Sequence, residues 1–236
     1  MKTSYTLAAA TLYACGAFAQ GTVNFNNRVT TGTGAQGPII APIYGVDNVD
    51  PFQRKTGNDF RGYPAGVQNY NYAPLLAGSG YTVQLWGTGG VVTDMYALSL
   101  CLNATTVFRT GSGAGFIVPL AEAAVVPNAP AGPGSRATLQ VRLWDNLGGT
   151  VTSWEQATVM RYTVHRGYSD LFVIPYDLGS DTVLPPNLIG LTSFNMAGIP
   201  EPSAAMLTLL GATLFFSLGG RRWGVDKSSR NKSING

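Results

Sequence analysis

Tyr81-Thr82-Val83-Gln84-Leu85-Trp86 and Leu139-Gln140-Val141-Arg142-Leu143-Trp144 repeat one six-residue pattern. Successive side chains of a strand point to opposite faces, so strict alternation marks a strand with one face in a core. Tyr81, Val83 and Leu85 share one face of the first segment, and Leu139, Val141 and Leu143 share one face of the second. Gln84, Gln140 and Arg142 are then expected to lie outside the core. Each segment ends in tryptophan on its polar face near a glycine turn. Two occurrences do not make a repeat array, but they suit neighbouring strands of one sandwich. Trp86 and Trp144 are either covered by other parts of the chain or form an outer aromatic platform for sugar rings.

Outward from these segments the chain keeps the same texture. Short alternating runs fall between glycines and prolines, with sparse charge, as in all-β sandwiches and barrels. Thr22–Asn26, Ala157–His165 and Leu171–Ile174 are further expected strands, the second presenting Met160, Tyr162 and Val164 on one face. Leu188–Phe194 is expected to be the last. Residues 94–102 fit a strand or a helix, and Ser153 is placed to cap a short helical turn through Glu155 and Ala157. Residues 47–71 and 128–134 read as loops rich in proline and glycine. The expected body is one β-sandwich domain of jelly-roll-like type over residues 20–194.

The formal charge of +3 does not point to an acidic partner. Residues 20–199 hold ten acids and nine bases, so the positive excess sits at the two ends. A basic footprint for nucleic acid is absent. Of the two cysteines, Cys15 lies in the N-terminal apolar run and Cys101 in Leu98-Ser99-Leu100-Cys101-Leu102. Cys101 is expected to be buried and inert, because reactive thiols need an electropositive, partly open setting.

The two ends carry their own signals. Lys2 precedes an uncharged apolar stretch, Leu7 to Phe18, and Ala17-Phe18-Ala19 places small residues where a signal peptidase needs them. Cleavage before Gln20 is expected, making residues 1–19 a signal peptide; a buried N-terminal helix and lipoprotein processing at Cys15 are the alternatives. At the other end, Pro202 to Gly220 is 19 residues without a charge. As a helix it would span about 28 Å, close to the hydrocarbon thickness of a bilayer. Pro200, Glu201 and Pro202 precede it, and Arg221 and Arg222 close it. Basic residues flank the cytoplasmic side of a span, so the body would lie outside and the tail inside. A buried soluble helix is the alternative. The expected order is a stem at 195–202, a membrane helix at 203–220 and a basic tail at 221–236.

The Pro200-Glu201-Pro202 triplet, single span and Arg221-Arg222 stop resemble the PEP-CTERM sorting signal of exported proteins of Gram-negative bacteria. That resemblance covers Ile199 to about Arg222. It implies processing near the triplet by an exosortase, passage through the inner membrane, and association with extracellular polysaccharide. Signal peptidase and exosortase would be the partners, and the mature protein would sit at the cell surface or outside it. Gly21-Thr22-Val23-Asn24-Phe25-Asn26-Asn27, Phe108-Arg109-Thr110-Gly111 with Gly115-Phe116, and Val141-Arg142-Leu143-Trp144-Asp145 are more loosely similar to the β-rich bodies of such carriers.

Motifs for chemistry are weak. His165 is the single histidine, and Gly111-Ser112-Gly113-Ala114-Gly115 is not a nucleophile elbow because its serine comes one place early. Gly32-Thr33-Gly34-Ala35-Gln36-Gly37 matches a dinucleotide fingerprint literally, yet Pro38 and a β-like Ile39-Ile40 follow where a helix is required. Asp47 with Asp50, and Asp145 with Glu155, are the carboxylate pairs to weigh for glycoside hydrolysis; calcium coordination is an equal reading for the first pair, though its spacing is not that of an EF-hand. Neither a metal site nor a cofactor is expected. The loop containing Tyr63, Tyr70 and Tyr72 could stack on sugars or simply pack. The leading expectation is a non-enzymatic matrix protein, with a carbohydrate-binding module second and a secreted glycan-active enzyme third.

Overall fold

The computed structural model describes residues 20–198. Residues 1–19, expected to be a signal peptide with Ala17 and Ala19 at its cleavage site, lie outside the described residues. So do Pro200, Glu201, Pro202, the span expected over 203–220, Arg221 and Arg222.

The described chain is all-β with little helix. Its strands in order are β1 (Gln20–Val23), β2 (Arg28–Val29), β3 (Ile39–Ile40), β4 (Ile43–Tyr44), β5 (Tyr81–Gly89), β6 (Ser99–Thr106), β7 (Ala124–Pro130) and β8 (Ala137–Asp145). The helix α1 (Trp154–Val159) follows, then β9 (Arg166–Tyr168), β10 (Phe172–Val173) and β11 (Phe194–Asn195). Seven strands form one antiparallel sheet in the order β1-β7-β6-β5-β8-β10, with β9 also paired to β8; β4–β11 and β2–β3 are separate two-stranded ladders.

The two alternating segments are direct neighbours. β5 and β8 pair antiparallel over their full lengths, with Val83 opposite Leu143 and Leu85 opposite Val141. Their apolar faces enter one core with Val23, Phe108, Ile174 and Leu178. The sheet curls over this core. The chain leaving β10 bonds from Ile174 N to Ala137 O beside β8 (3.0 Å), and five residues later pairs Gly179 with Thr22 of β1. One segment thus draws the two sheet edges together, which removes exposed edge groups that would otherwise pair with other chains.

Several expectations change. Gln84, Gln140 and Arg142 are buried, not outside, because the second sheet face is covered as well. Ala157–His165 is not a strand. Ser153 Oγ accepts from Gln156 N (3.1 Å), and Gln156 Oε1 accepts from Thr152 N (3.0 Å), so a reciprocal cap starts α1 instead. Trp154 and Ala157, three apart, form the buried stripe of that helix, and Tyr162 is exposed. In the stretch expected to hold a final strand over Leu188–Phe194, the ladder comprises only Phe194–Asn195, parallel to β4. Asn195 and Met196, expected in the stem, are fully buried in the body.

Residues 128–130, expected in the 128–134 loop, belong to β7 instead, a strand masked by its prolines. Pro127 and Pro130 cannot donate to a ladder and are normally confined to edges and bulges. Here β1 and β7 are in register at Thr22–Val125 and again at Gln20–Pro130, so residues 126–129 face Gly21 alone. That bulge holds Pro127 and lets Asn128 take a positive φ of 55°. The end of β5, past its pairing with β6, accommodates it with glycine: a Cβ on Gly89 would lie 2.1 Å from the Asn128 carbonyl oxygen. Gly89→Ala is therefore expected to destabilise the body by about 1–3 kcal/mol. Gly80→Ala, with nothing within 4 Å, serves as the control, and urea unfolding of the two variants checks the difference.

Candidate functional site

The outer face of β5 and β8 is one of two regions that gather the expected site residues. Trp144 is completely buried, and its indole Nε1 donates to Val151 O (2.9 Å). The loop and helix from Val151 to Val164 cover it, with Trp154 at 6.4 Å between ring centroids. Trp86 is half-buried. Its ring carries the Arg142 guanidinium at 4.1 Å, and its Nε1 donates to Gln84 Oε1 (3.2 Å). Trp86 and Trp144 do not make a joint platform: Trp144 offers no ring face to solvent, and a cation occupies one face of Trp86.

Cations and rings alternate across this face. Arg54 lies 4.6 Å over Tyr168, Tyr168 meets Trp154 edge-on at 6.4 Å, and Arg142 sits 5.5 Å from Trp154 as well as against Trp86. Arg142 is 5% exposed. Its Nε donates to Gln140 Oε1 (2.8 Å) and its Nη2 to Met95 O (2.8 Å). Burial lowers its pKa from the usual value, and the Glu155 and Tyr96 charges oppose that. A desolvated guanidinium between aromatic rings gains more than an exposed one, so this array serves cohesion.

The second region is the segment 47–72, which encloses the three tyrosines. Tyr70 is buried, stacked on Tyr44 with centroids 4.0 Å apart, and its hydroxyl lies within bonding distance of Gly57 O and Ser193 O. It is a structural element, not a glycan contact. Burial pushes both phenols' pKa values up. Tyr63 and Tyr72 are exposed. Between them and the core lies Asp59, 6% exposed, which accepts from Tyr44 OH (3.1 Å), Arg61 N (2.9 Å) and Gly62 N (3.1 Å). Asn58 donates to Pro64 O (2.7 Å) and accepts from Ser193 N (2.8 Å). The loop from Asp59 to Gly66 is thereby closed from beneath, and Phe60, Arg61 and Tyr63 are left outside. Asp59 and Asn58 were not singled out in the sequence; D/N residues spaced around glycines were the available signal.

This segment also grips the end of the body. Asn195 Oδ1 accepts from Lys55 N (2.6 Å), Met196 N donates to Tyr44 O (2.9 Å), and Gly198 N donates to Pro51 O. Asp47 is 1% exposed, ion-paired with Lys55, and accepts from Val49 N (2.9 Å) and Asp50 N (3.1 Å). It shapes a turn and neutralises a lysine.

The remaining candidates have ordinary partners. Asp145 accepts from Leu147 N (2.9 Å), and Glu155 is exposed in the first turn of α1. The literal dinucleotide motif is a 3-10 turn whose Gln36 Nε2 donates to Pro185 O (2.6 Å), with β3 following instead of a helix. Gly115 of the glycine run packs on Leu75 and accepts from Asn27 Nδ2 (3.0 Å). His165 precedes β9, and its carbonyl accepts from Asp145 N (2.9 Å). Cys101 is buried, and desolvation pushes its thiol up to about 12. An open groove of about 580 Å³ lies over β6, lined by Leu100, Leu102 and Leu120, with Glu122 its single carboxylate, bonded to Asn103 (2.6 Å). No group of three or more potential metal ligands occurs among the described residues, and no helix there is long and apolar enough to cross a membrane.

No protein-family model, curated protein or solved structure matches this chain.

The Lys55 hydrogen bond, helped by the Asp50 amide, holds the Asp47 carboxyl at about 2, against an ordinary value of 3.8. A carboxylate whose folded pKa is depressed stabilises above its unfolded pKa and loses that contribution as pH falls through the folded one. The stability of the protein is expected to drop between about pH 4 and pH 2. Asp47→Asn should lower stability at pH 7 and flatten that acid limb, as urea unfolding at stepped pH would show.

Proposed function

We propose that this chain is an exported, non-enzymatic envelope protein whose β body is delivered by a PEP-CTERM-type sorting signal. The observation that carries the reading is the order of signals around the body. An A-x-A site ends at Ala19; Pro200-Glu201-Pro202, an uncharged run and Arg221-Arg222 follow the body. The two sets bracket a domain whose first strand begins at Gln20 and whose last ladder ends at Asn195. Signal peptidase and an exosortase are the processing partners in this reading. The curled sheet, with the short ladders beside it, is the sandwich-like cargo. Its place is the cell surface or the surrounding polysaccharide.

The placement of the body's last residues supports separate roles for cargo and signal. The backbone is engaged in the domain up to Gly198, and the triplet begins two residues later. A peptidase acting beyond Pro202 would leave every described bond of the body intact.

Intact-mass measurement of protein recovered from a strain with an active exosortase tests this. The mature form is expected to begin at Gln20 and to lack the segment after about Pro202. Recovery of envelope protein that still carries Arg221 and Arg222 would refute it.

A further inference from the structure

Exposed apolar surface is not spread evenly over the body. Six of the sixteen large exposed apolar or aromatic side chains among the described residues fall in one segment: Val49, Phe52, Phe60, Tyr63, Val67 and Tyr72. It is the same segment that grips the end of the domain through Pro51, Lys55 and Gly57. We propose that residues 49–72 form a membrane-contact surface on which the body rests against lipid while its C-terminus is anchored. This contact presupposes the C-terminal span proposed above.

Chain length imposes the proximity. Gly198 N donates to Pro51 O, so the last described residue is fixed to this segment. The uncharged run begins at Pro202. Four extended residues reach about 14 Å, so in an anchored body Pro51 stays within about that distance of the start of the run. Tyrosine and other rings with one apolar and one wet side are favoured at that level, together with arginine.

The exposure is built in and is not slack. The Asp59 carboxylate ties down the Arg61 and Gly62 amides, and Gly66 N donates to Asp59 O (2.9 Å). A Cβ on Gly66 would lie 2.1 Å from Asn58 O, and one on Gly62 2.6 Å from Asn58 Cβ. The chain is therefore pressed onto its buried base, with Phe60, Arg61 and Tyr63 outward. A loop fixed in its binding shape loses little entropy on contact. Arg61 takes part in none of the three ion pairs among the described residues; its guanidinium lies 5.0 Å from the Phe60 ring centroid, so the charge and the ring would meet the headgroup level together. Asp47 and Asp59 are buried; Asp50 is the one exposed acid of the segment. Val49 and Val67 favour lipid over polysaccharide, since aliphatic side chains add nothing to stacking on sugar rings but gain from the acyl boundary.

The far end of the body supplies a control. Arg166 pairs with both Trp144 and Ala197, which places the C-terminal exit at the Asp145 end of β8. Gly90 N donates to Arg136 O, next to the Ala137 end. β8 is nine residues long, so exposed Val91 lies about 27 Å from the exit along the strand direction.

The test uses the full chain with Cys15→Ser and either Phe60→Cys or Val91→Cys, labelled with an environment-sensitive fluorophore. The chains are reconstituted into nanodiscs of phosphatidylethanolamine and phosphatidylglycerol. The label at 60 is expected to shift to the blue and to be quenched by headgroup spin-labelled lipid, and the label at 91 to do neither. Equal behaviour at the two positions overturns the proposal. So does a label at 60 that ignores spin-labelled lipid but shifts on adding alginate, which would assign the surface to polysaccharide. Failure of the chain to co-elute with the discs would sink the anchor reading and this contact together, and is distinguishable because disc incorporation is measured first.

Discussion

Everything in the body is arranged around β8, a strand buried on both faces. Its odd positions, Ala137 to Leu143, fill the core beneath the curled sheet. Its even positions carry polar atoms that water cannot reach, and a buried polar atom without a partner costs about 1–3 kcal/mol. Each one donates to a backbone carbonyl of a covering segment, and three segments are reached in all. Thr138 bonds Gly90 O (2.9 Å), Gln140 bonds Ser169 O (3.0 Å), Arg142 bonds Met95 O (2.8 Å) and Trp144 bonds Val151 O (2.9 Å). The loop after β5, the turn after β9 and the chain before α1 are thereby assigned their places by one strand. Loops that looked like connections are walls.

This explains which parts of the fold could be read in advance. β5 and β8 were legible because aliphatic alternation survives whatever covers the other face. The covering itself was not, because Gln140 and Arg142 look solvated until the segments that satisfy them, 29 and 47 residues distant, are brought over. β7 was masked by prolines that only a bulge tolerates. α1 was missed in part for the opposite reason: the 160–164 alternation is a local accident, while the Ser153–Gln156 cap decides the backbone. Residues 47–71 read correctly as a loop, but what the segment holds depends on Ser193 and Asn195, more than 120 residues away.

The candidate residues divide in the same way. Trp144 and Tyr70 were picked for their rings, and rings are equally good at filling space; burial and a satisfied Nε1 or hydroxyl put both to structural use. Tyr63 and Tyr72 kept their faces exposed. Arg142 was taken for a surface charge because nothing local in Leu139–Trp144 announces that Trp86 and Trp154 will enclose it. The motifs at the two ends are a matter of residue order alone.

The body finishes at its C-terminal edge. Asn24 bonds Asn187 across 163 residues, Lys55 bonds Asn195 across 140, and β4 has its parallel partner only in β11. Contacts so distant form late. A chain emerging from the N-terminus can make the β5–β6 hairpin early, but the ladder and clasp near Tyr44 must wait for residues 193–198. The domain therefore remains unlatched until nearly all of its residues are available. Closure of the fold is timed by the position of its last strand.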